Sequence, residues 1–297
     1  MAEPQTLIVA GAQKSCSTSL ALLLGRHPEI EMSPGEVVAF EDPHYPDQLP
    51  RVHTHVDACL AQGVVPALKR PEIMHCPEAS PRAAAHLPHP LCVVVLREPV
   101  SRTLSAYHHY LSYGLIPPVH PDLGLTEILR EAHETATVAV RHQIVRYSDY
   151  VTALRRLREQ FGDRLLVFYQ EDILGDTVRC TTRILRSLDL PPRDLGPLPR
   201  ANRGNYSLYA AKPSRIAGRI GYDVDQQLGR FTLTTNPLRR GVAQAFSGLD
   251  RLYRSRPQPP ELSPDVRQKL RDVLLDDVGT LTEMVGQPPP DNWMAPA

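Results

Sequence analysis

The chain has 297 residues, of which 42% are hydrophobic and 22% are charged. This length and apolar fraction suffice for a sizeable folded core, and they exclude a wholly disordered chain. Basic and acidic residues number 33 each, so the formal net charge is zero, which argues against a general nucleic-acid binder. Most of the basic residues are arginines. The four lysines are Lys14, Lys69, Lys212 and Lys269.

Cysteine usage and the apolar runs bear on the compartment. The five cysteines are irregularly spaced and form no CxxC pair, so we expect neither a disulfide framework nor a zinc site. The apolar runs Leu20–Leu24 and Leu91–Leu96 are far too short to span a bilayer. Met1 lies five residues before the first predicted strand, which leaves no room for a signal peptide. We therefore expect a soluble cytoplasmic protein without membrane insertion.

Short apolar runs alternate with helical patterns over the first two-thirds of the chain. This alternation predicts an α/β fold of three layers, with a parallel sheet flanked by helices. The predicted strands are Thr6–Ala10, Ile30–Met32, Val64–Leu68, Leu91–Leu96 and Leu165–Tyr169. The predicted helices are Ser17–Leu24, Val100–Tyr113, Thr126–Arg141, Asp149–Phe161 and Thr177–Leu188, with a last helix from Pro264 to Val285. The 30 prolines predict loops, above all over Pro71–Pro90 and Pro191–Pro199.

A basic segment, Arg200–Arg256, interrupts this pattern. It contains 11 basic and 3 acidic residues, a net charge of +8, which leaves −8 on the rest of the chain. Its periodicity is poor, so it is interpreted either as a solvated, loop-rich excursion or as a flexible wall that faces an anion. Residues 1–297 are predicted to form a single domain, in which residues 200–256 serve as a lid or as an acceptor wall.

The segments that follow the predicted strands carry the chemistry. In open parallel sheets, ligands bind outside the carboxyl ends of the strands. The first strand is followed by Gly11 and a loop with Lys14, the second by Glu36, the third by Lys69 and the fourth by Arg97. Two of the four lysines thus fall on one predicted edge, together with a glutamate and an arginine.

The first of these loops has the properties of a phosphate cradle. Gly11 allows a tight turn, and Ser17 opens a helix whose unpaired N–H groups and dipole favour an anion. Lys14 adds a point charge, and hydroxyl groups add donors. It is not a Walker A loop, because the lysine precedes the small-residue turn. The alternative is an ordinary capped helix. The hydroxyl residues are Ser15, Ser17, Thr18 and Ser19.

The end of the fourth strand offers a second anion site. Arg97 leaves the strand, Pro99 suits a first helical turn, and Ser105 lies eight residues after Arg97, about two turns into the helix. Arg97 and Ser105 are candidates to clamp a second phosphate, the arginine by bidentate contact. The alternative for Arg97 is an ion pair with a local carboxylate such as Glu98.

Both segments resemble the sulfotransferases that use 3′-phosphoadenosine 5′-phosphosulfate (PAPS). The loop pattern GxxKxGTTxL of that family is matched from Gly11 to Leu20, and its pattern LRxPxxRxxSxY from Leu96 to Tyr107. The segment around Glu36 and Phe40 is similar to the xExxxF region of the heparan-sulfate-type branch, and Lys69-Arg70-Pro71 to its xxKxP segment. The resemblance implies a P-loop NTPase-like sulfotransferase fold.

The resemblance also implies roles for individual residues. Lys14, Glu36 and Lys69 are catalytic, with Glu36 as the base and Lys69 beside the sulfate and the acceptor. The first loop holds the 5′-phosphosulfate, and Arg97 with Ser105 holds the 3′-phosphate. The reaction has PAPS as cosubstrate and requires no metal. The implied donor-binding residues are Gln13, Lys14, Ser15, Cys16, Ser17, Thr18, Ser19, Arg97 and Ser105.

The sequence departs from the family patterns at three places. Cys16 stands where the family has glycine, and cysteine is costly if that position requires a positive φ. Arg70 stands where a small hydroxyl residue is usual. Only Arg239-Arg240-Gly241 faintly matches a C-terminal donor motif.

Other histidines and cysteines leave alternatives open. His53, His55 or His108 could replace Glu36 as the base. Two groups of residues are further candidates for metal ligands, although their spacing matches no standard site. They are His53 and His55 with Cys59, and His75 with Cys76.

The favoured function is sulfuryl transfer to a hydroxyl of a sugar, a glycoside or a small natural product. An amine acceptor is the less favoured choice. The alternatives are an ATP-dependent P-loop phosphotransferase and a non-catalytic module for nucleotides or anionic glycans. The expected partner is the small-molecule or glycan acceptor, with no nucleic acid and with a homodimer as a further expectation.

Overall fold

The computed structural model describes residues 3–131, 139–201, 213–225, 230–249 and 260–294. The chain divides into two compact units. The first consists of Met1–Glu98, Tyr150–Asn202 and Asp277–Ala295, and the second of Pro99–Asp149, Arg203–Asp276 and Pro296–Ala297. The single domain over residues 1–297 stays a prediction.

The first unit is built on a five-stranded parallel sheet with the strand order β2-β3-β1-β4-β5. Apolar residues fill β1 and β4, because strands in the middle of a parallel sheet are covered on both faces. The predicted parallel α/β fold, with helices flanking the sheet, is confirmed. The strands are β1 (Thr6–Gly11), β2 (Ile30–Met32), β3 (Val65–Lys69), β4 (Pro90–Leu96) and β5 (Leu165–Tyr169).

The chain changes direction across the sheet at β1, which lies between β3 and β4. Such a switch point opens a crevice at the carboxyl ends of the strands. Val9 of β1 pairs with Lys69, the last residue of β3, so the segments after the two strands begin side by side.

Helices connect the strands and form most of the second unit. The described helices are α1 (Ser17–Leu24), α2 (Leu49–Ala61), α3 (Glu72–His75), α4 (Ala79–His86), α5 (Pro99–Ser112), α6 (Pro121–Glu131), α7 (Ala139–Arg146), α8 (Tyr150–Phe161), α9 (Gln170–Gly175), α10 (Thr177–Arg186), α11 (Pro213–Gly221), α12 (Pro237–Leu249), α13 (Pro264–Leu274), α14 (Val278–Val285) and α15 (Asp291–Met294). None of the helices in these ranges is long and apolar enough to cross a membrane.

Each unit has its own apolar core. In the first unit, Leu20 and Leu24 of α1 share a buried cluster with Val93 of β4 and Ile184 of α10. In the second unit, residues of α5, α6, α7 and α13 form a cluster that includes Leu111 and Leu270. Two antiparallel strands, β6 (Tyr222–Asp225) and β7 (Arg230–Leu233), also belong to the second unit.

The prediction of loops from prolines was wrong over Pro71–Pro90, which contains α3 and α4. Pro81 lies in the first turn of α4, where its missing N–H leaves no helical hydrogen bond unmade, and alanines follow it. Helices α5, α6, α11, α12 and α13 likewise begin at a proline. In this chain, prolines therefore mark the starts of helices as well as loops.

Three longer predictions need further correction. The helix predicted from Pro264 to Val285 is two helices, because the Asp277 side chain accepts the Thr280 N–H and caps a new one. The helix predicted over Thr126–Arg141 corresponds to α6 and α7, and residues 132–138 lie outside the described ranges. Where it is described, the basic segment is not loop-rich, since it holds α11, β6, β7 and α12. Its residues 202–212, 226–229 and 250–256 are not among those described.

Candidate active site

The loop after β1 combines a tight backbone turn with a helix start. The Ala12 N–H donates to Val95 O at 2.7 Å, which ties the loop to β4, and α1 begins at Ser17. Lys14 and Cys16 both have left-handed backbone, with φ of 68° and 54°. Left-handed residues in a tight turn are typical of concave anion sites lined by backbone N–H groups. We call residues 13–19 the phosphate loop.

Cys16 is the N-cap of α1, and its side chain makes no capping hydrogen bond. Its φ of 54° lies in the left-handed region, which costs an L-residue about 1–2 kcal/mol and which glycine adopts without strain. The thiol packs against the apolar core of the first unit. Burial raises the pKa of Cys16 to about 12, although the charge of Arg97 opposes the shift. The thiol therefore stays neutral at physiological pH and adds no negative charge to the loop.

The hydroxyl residues of the phosphate loop are not equivalent. Ser15 is fully buried, and its Oγ has no hydrogen-bond partner among the described residues. The Ser19 Oγ already accepts the Ala201 N–H at 3.3 Å. A buried hydroxyl without a partner is costly unless a ligand satisfies it, so Ser15 fits a phosphate or sulfate oxygen in this loop. Gln13, Lys14 and Thr18 are half-buried, and Ser17 is buried.

Glu36 and Lys69 meet at the ends of β2 and β3. The Ser33 N–H donates to Ala67 O at 2.7 Å and the Val37 N–H donates to Lys69 O at 3.2 Å, so the segment that carries Glu36 follows β3 to its end. The buried Lys69 ammonium donates directly to Glu36 Oε1. The Glu36 side chain is 41% exposed, so its carboxylate is both paired and accessible.

Arg70 adds a second cation to this carboxylate. Its Nη1 donates to Glu36 Oε2 at 2.8 Å. On the other side it makes a bidentate pair with the buried Glu41, in which Nη2 donates to Oε2 at 2.7 Å. Its Nε also lies 3.2 Å from Glu72 Oε2. We call Glu36, Glu41, Glu72, Lys69 and Arg70 the charged cluster.

The charged cluster shifts the pKa values of its carboxyl groups in opposite directions. Burial raises the pKa of Glu36, but Arg70 and Lys69 outweigh burial and bring it below the usual range, so Glu36 is ionised at neutral pH. Burial raises the pKa of Glu72 to about 7, with Arg70 opposing the shift and the other two carboxylates adding to it. Glu72 also accepts a hydrogen bond at 3.5 Å from Gln13 of the phosphate loop.

Arg97 lies at the end of β4, next to β1. Its Nη1 donates to Lys14 O at 3.1 Å, so the guanidinium rests on the phosphate loop. The Tyr150 hydroxyl donates to Arg97 O at 2.7 Å and fixes the backbone at this point. Ser105 lies on α5 in the second unit and is partly exposed. The structure thus joins Arg97 to the loop, and the role of Ser105 stays a prediction.

Comparison with known proteins identifies the fold. No family model matches the chain. Its structure is similar to that of the sulfotransferase from Alicyclobacillus acidocaldarius, with a TM-score of 0.61 and 17% identity, over 99% of this chain and 100% of that one. The chain has the sulfotransferase fold.

Two nematode proteins are similar to this sulfotransferase-like chain in sequence. They are the bifunctional heparan sulfate N-deacetylase/N-sulfotransferase 1 of Caenorhabditis elegans, 26% identical over 171 residues, and its namesake in Caenorhabditis briggsae, 26% identical over 196 residues. The alignments cover 57% and 62% of this chain but 20% and 22% of the nematode proteins. The chain thus spans about a fifth of their length. The resemblance to sulfotransferases predicted from the two motifs is confirmed.

The histidines proposed as alternative bases occupy other environments. The ring of His53, on α2, packs 5.7 Å from that of His86, and His55 lies beside Cys59 Sγ at 3.8 Å. His108 is buried on α5 of the second unit, where burial and the nearby His120 lower its pKa to about 4. A histidine with that pKa carries no charge at neutral pH, and it is a weak base. The choice between Glu36 and a histidine as the base stays a prediction, and of these residues Glu36 is the one that is ionised and paired with Lys69.

Two further sequence hypotheses can be located. In the described residues, no group of three or more His, Cys, Asp or Glu side chains could hold a metal ion. The faint donor motif at Arg239 lies on α12, where Arg239 Nη1 pairs with Asp223 at 2.8 Å. The ion pair connects α12 to β6 within the second unit.

Sequence reasoning missed the partners of Arg70. Glu41 and Glu72 carry no motif, and they become neighbours only because the segments after β2 and β3 lie side by side. The available signal was the pair of basic residues at the end of a buried strand. Two cations there require carboxylates close by.

Proposed function

We propose that the chain transfers a sulfuryl group from PAPS to an acceptor hydroxyl and releases adenosine 3′,5′-bisphosphate. One observation carries the proposal. The phosphate loop, with its buried Ser15 hydroxyl, and the Lys69–Glu36 pair follow neighbouring parallel strands that are in register through Val9 and Lys69. The proposed anion site and the proposed base therefore adjoin each other at the switch point of the sheet.

In the proposed reaction, the phosphate loop holds the 5′-phosphosulfate with its backbone N–H groups, Lys14 and the Ser15 hydroxyl. These donors stabilise the charge that grows on the phosphate oxygen as its bond to sulfur breaks. The acceptor oxygen forms the new bond to sulfur, and Glu36 takes the acceptor proton. Arg97 is proposed to bind the 3′-phosphate together with Ser105. No proposed step requires a metal ion.

Lys69 connects donor binding to the strength of the base. Without a donor, its ammonium pairs with Glu36 and helps to hold the pKa of that carboxyl low. A bound sulfuryl group competes for the ammonium, and a weaker Lys69–Glu36 pair raises the pKa of Glu36 and makes it a better base. The base is thus strengthened when its substrate is in place.

The acceptor is proposed to be a hydroxyl of a sugar, a glycoside or a small natural product. The names of the nematode relatives include N-sulfotransferase and heparan sulfate, which supports an amine on a glycan as the second candidate acceptor. Location in the cytoplasm and a homodimer stay predictions from the sequence.

Transfer of labelled sulfate from PAPS tests the proposal. The chain is incubated with labelled PAPS and a panel that contains N-deacetylated heparosan, neutral glycosides and phenolic glycosides, and products are identified by mass spectrometry. Sulfated product from PAPS, with Lys14→Met inactive, supports the proposal. Magnesium-dependent turnover of ATP, or binding of PAPS without transfer to any member of the panel, contradicts it.

A further inference from the structure

Arg70 is the buried centre of the charged cluster. Only 7% of the residue is exposed, and its guanidinium contacts three carboxylates. Burial favours the neutral form of Arg70, but Glu41, Glu72 and Glu36 outweigh it and raise its pKa further above the ordinary value. Arg70 is therefore a permanent cation, and its fork determines where the carboxylates around it lie.

The contacts of Arg70 differ in burial. Glu41 is 4% exposed and accepts two of its hydrogen bonds, whereas Glu36 accepts one and has a side chain that is 41% exposed. The Arg70 N–H also donates to Val9 O at 3.1 Å, which fixes the backbone against β1. One end of the arginine is thus anchored in the interior, and the other end reaches the base at the surface.

The two cations bind different oxygens of Glu36. Lys69 contacts Oε1, and Arg70 contacts Oε2. If the donor draws Lys69 away, as the proposed function requires, Oε1 is released toward the acceptor while Oε2 stays bound. A carboxylate held by one oxygen keeps its orientation, and it keeps its charge until it receives the acceptor proton.

We propose that Arg70 is a positioning residue for the base Glu36, and that Glu41 anchors Arg70. The expected effects on kcat rest on the proposed function. The hydrogen bond from Arg70 to Glu36 does not, because it is present in the chain without any substrate. In this proposal Arg70 contacts neither the donor nor the acceptor. It acts by fixing one oxygen of Glu36 and by keeping the carboxylate ionised.

The double variant Arg70→Met/Glu41→Met tests the proposal without stranding a buried charge, because it replaces both members of the buried pair by apolar side chains. Glu72 then remains in a buried site, where protonation can neutralise it. We expect a folded protein in which kcat falls by about tenfold to a hundredfold while KM for PAPS changes little, because the base is misplaced but the loop is intact. The acidic limb of the kcat–pH profile is expected to move to higher pH.

The direction of the pH shift follows from the charges around Glu36. Lys69 and Arg70 face it directly, and Glu41 and Glu72 act on it through Arg70. Removing Arg70 leaves Lys69 as the counter-ion at Glu36 Oε1 and raises the pKa of the base. The same shift should appear when the carboxyl carbon of Glu36 is titrated by NMR in chain labelled with carbon-13 glutamate, with Glu36→Gln used for assignment. This titration needs neither donor nor acceptor.

A neighbouring ion pair supplies the matched control. Arg82 binds Asp42 through two hydrogen bonds of 3.1–3.2 Å, one residue along the chain from Glu41. Arg82→Met/Asp42→Leu is expected to keep the kcat, the pH profile and the Glu36 titration of the unmodified chain. A second variant, Arg70→Lys, keeps the charge but loses the fork. It should lower kcat several-fold and leave the acidic limb near its original pH.

The outcomes separate the inference from the proposed function. If the unmodified chain transfers no sulfate from PAPS, the proposed function is wrong. The NMR titration then still tests whether Arg70 lowers the pKa of Glu36. An unchanged Glu36 titration in the folded double variant overturns the inference. A double variant that keeps full kcat overturns it as well.

Discussion

The phosphate loop and the charged cluster adjoin each other at the ends of β1 and β3, yet they are built in opposite ways. The loop contains a buried hydroxyl, that of Ser15, which has no partner among the described residues. The cluster binds its cations and carboxylates to one another. One region is proposed to receive an anion, and the other balances its own charges.

The difference follows from the cost of burial. A hydroxyl or an N–H group without a partner costs a few kcal/mol at most, so a fold can hold it ready for a ligand. An unpaired buried charge costs far more, so Lys69 and Arg70 must be paired before any substrate arrives. In the proposed function, the Ser15 hydroxyl gains its partner when PAPS binds, whereas Lys69 must exchange Glu36 for the sulfuryl group and Arg70 keeps its partners. Substitutions in the two regions should therefore differ in their effects.

The largest effect is expected for Glu36→Gln, which removes the base but keeps the shape of the side chain. We expect the rate of transfer to fall by about 10²- to 10⁴-fold. KM for PAPS should not rise, because Glu36 does not belong to the phosphate loop and its charge competes with the donor for Lys69. Steady-state kinetics measure both, with Glu31→Gln on the exposed side of β2 as the control. Full activity of Glu36→Gln would remove this residue from the mechanism.

Lys14→Met should reduce kcat by about 10²- to 10³-fold, the usual effect of losing one charge-stabilising donor. Unlike Glu36→Gln, it should also weaken the binding of adenosine 3′,5′-bisphosphate, because Lys14 belongs to the loop. The exposed Lys269 on α13 gives the matched control Lys269→Met, which should behave like the unmodified chain. An equal fall of kcat in Lys14→Met and Lys269→Met would contradict a specific role of Lys14 in the phosphate loop.

Ser15→Ala should weaken the binding of adenosine 3′,5′-bisphosphate by roughly fivefold, the value of one hydrogen bond of about 1 kcal/mol. The free energy of unfolding without ligand should not fall, since the Ser15 Oγ has no partner among the described residues. Ser19→Ala should instead lower it by about 1 kcal/mol, because the Ala201 N–H loses its acceptor. Calorimetry and urea unfolding measure the two quantities. Loss of stability in Ser15→Ala would show that its hydroxyl has a structural partner.

The smallest effect concerns the strain at Cys16. Cys16→Gly and Cys16→Ala both remove the thiol, but only glycine adopts a φ of 54° without strain. We expect Cys16→Gly to be more stable than Cys16→Ala by about 1 kcal/mol in urea unfolding. Equal stability of the two variants would contradict a left-handed backbone at this position.

The sequence predicts the sheet well because its strands are short apolar runs with clear ends. Strands Ile30–Met32 and Leu165–Tyr169 and helix Ser17–Leu24 have the predicted bounds. The helices over Pro71–Pro90 could not be recognised from prolines, because proline is compatible with both a loop and a first helical turn. The break at Asp277 was hidden by apolar spacing that continues across it.

The candidate site is predictable only in part for a related reason. Residues at the ends of parallel strands can be placed on one edge from the sequence, which brought Lys14, Glu36, Lys69 and Arg97 into view. Glu41 and Glu72 reach the same place by side-chain contacts across loops, and no spacing in the sequence encodes such contacts.

A crystal structure of the chain with adenosine 3′,5′-bisphosphate tests the central claim most directly. We predict that the 5′-phosphate lies in the phosphate loop, accepts a hydrogen bond from the Ser15 Oγ and contacts the Lys14 ammonium. We also predict that Arg70 still binds Glu36 and Glu41 in this complex. A nucleotide bound elsewhere, with Ser15 buried and still without a partner, would contradict the account.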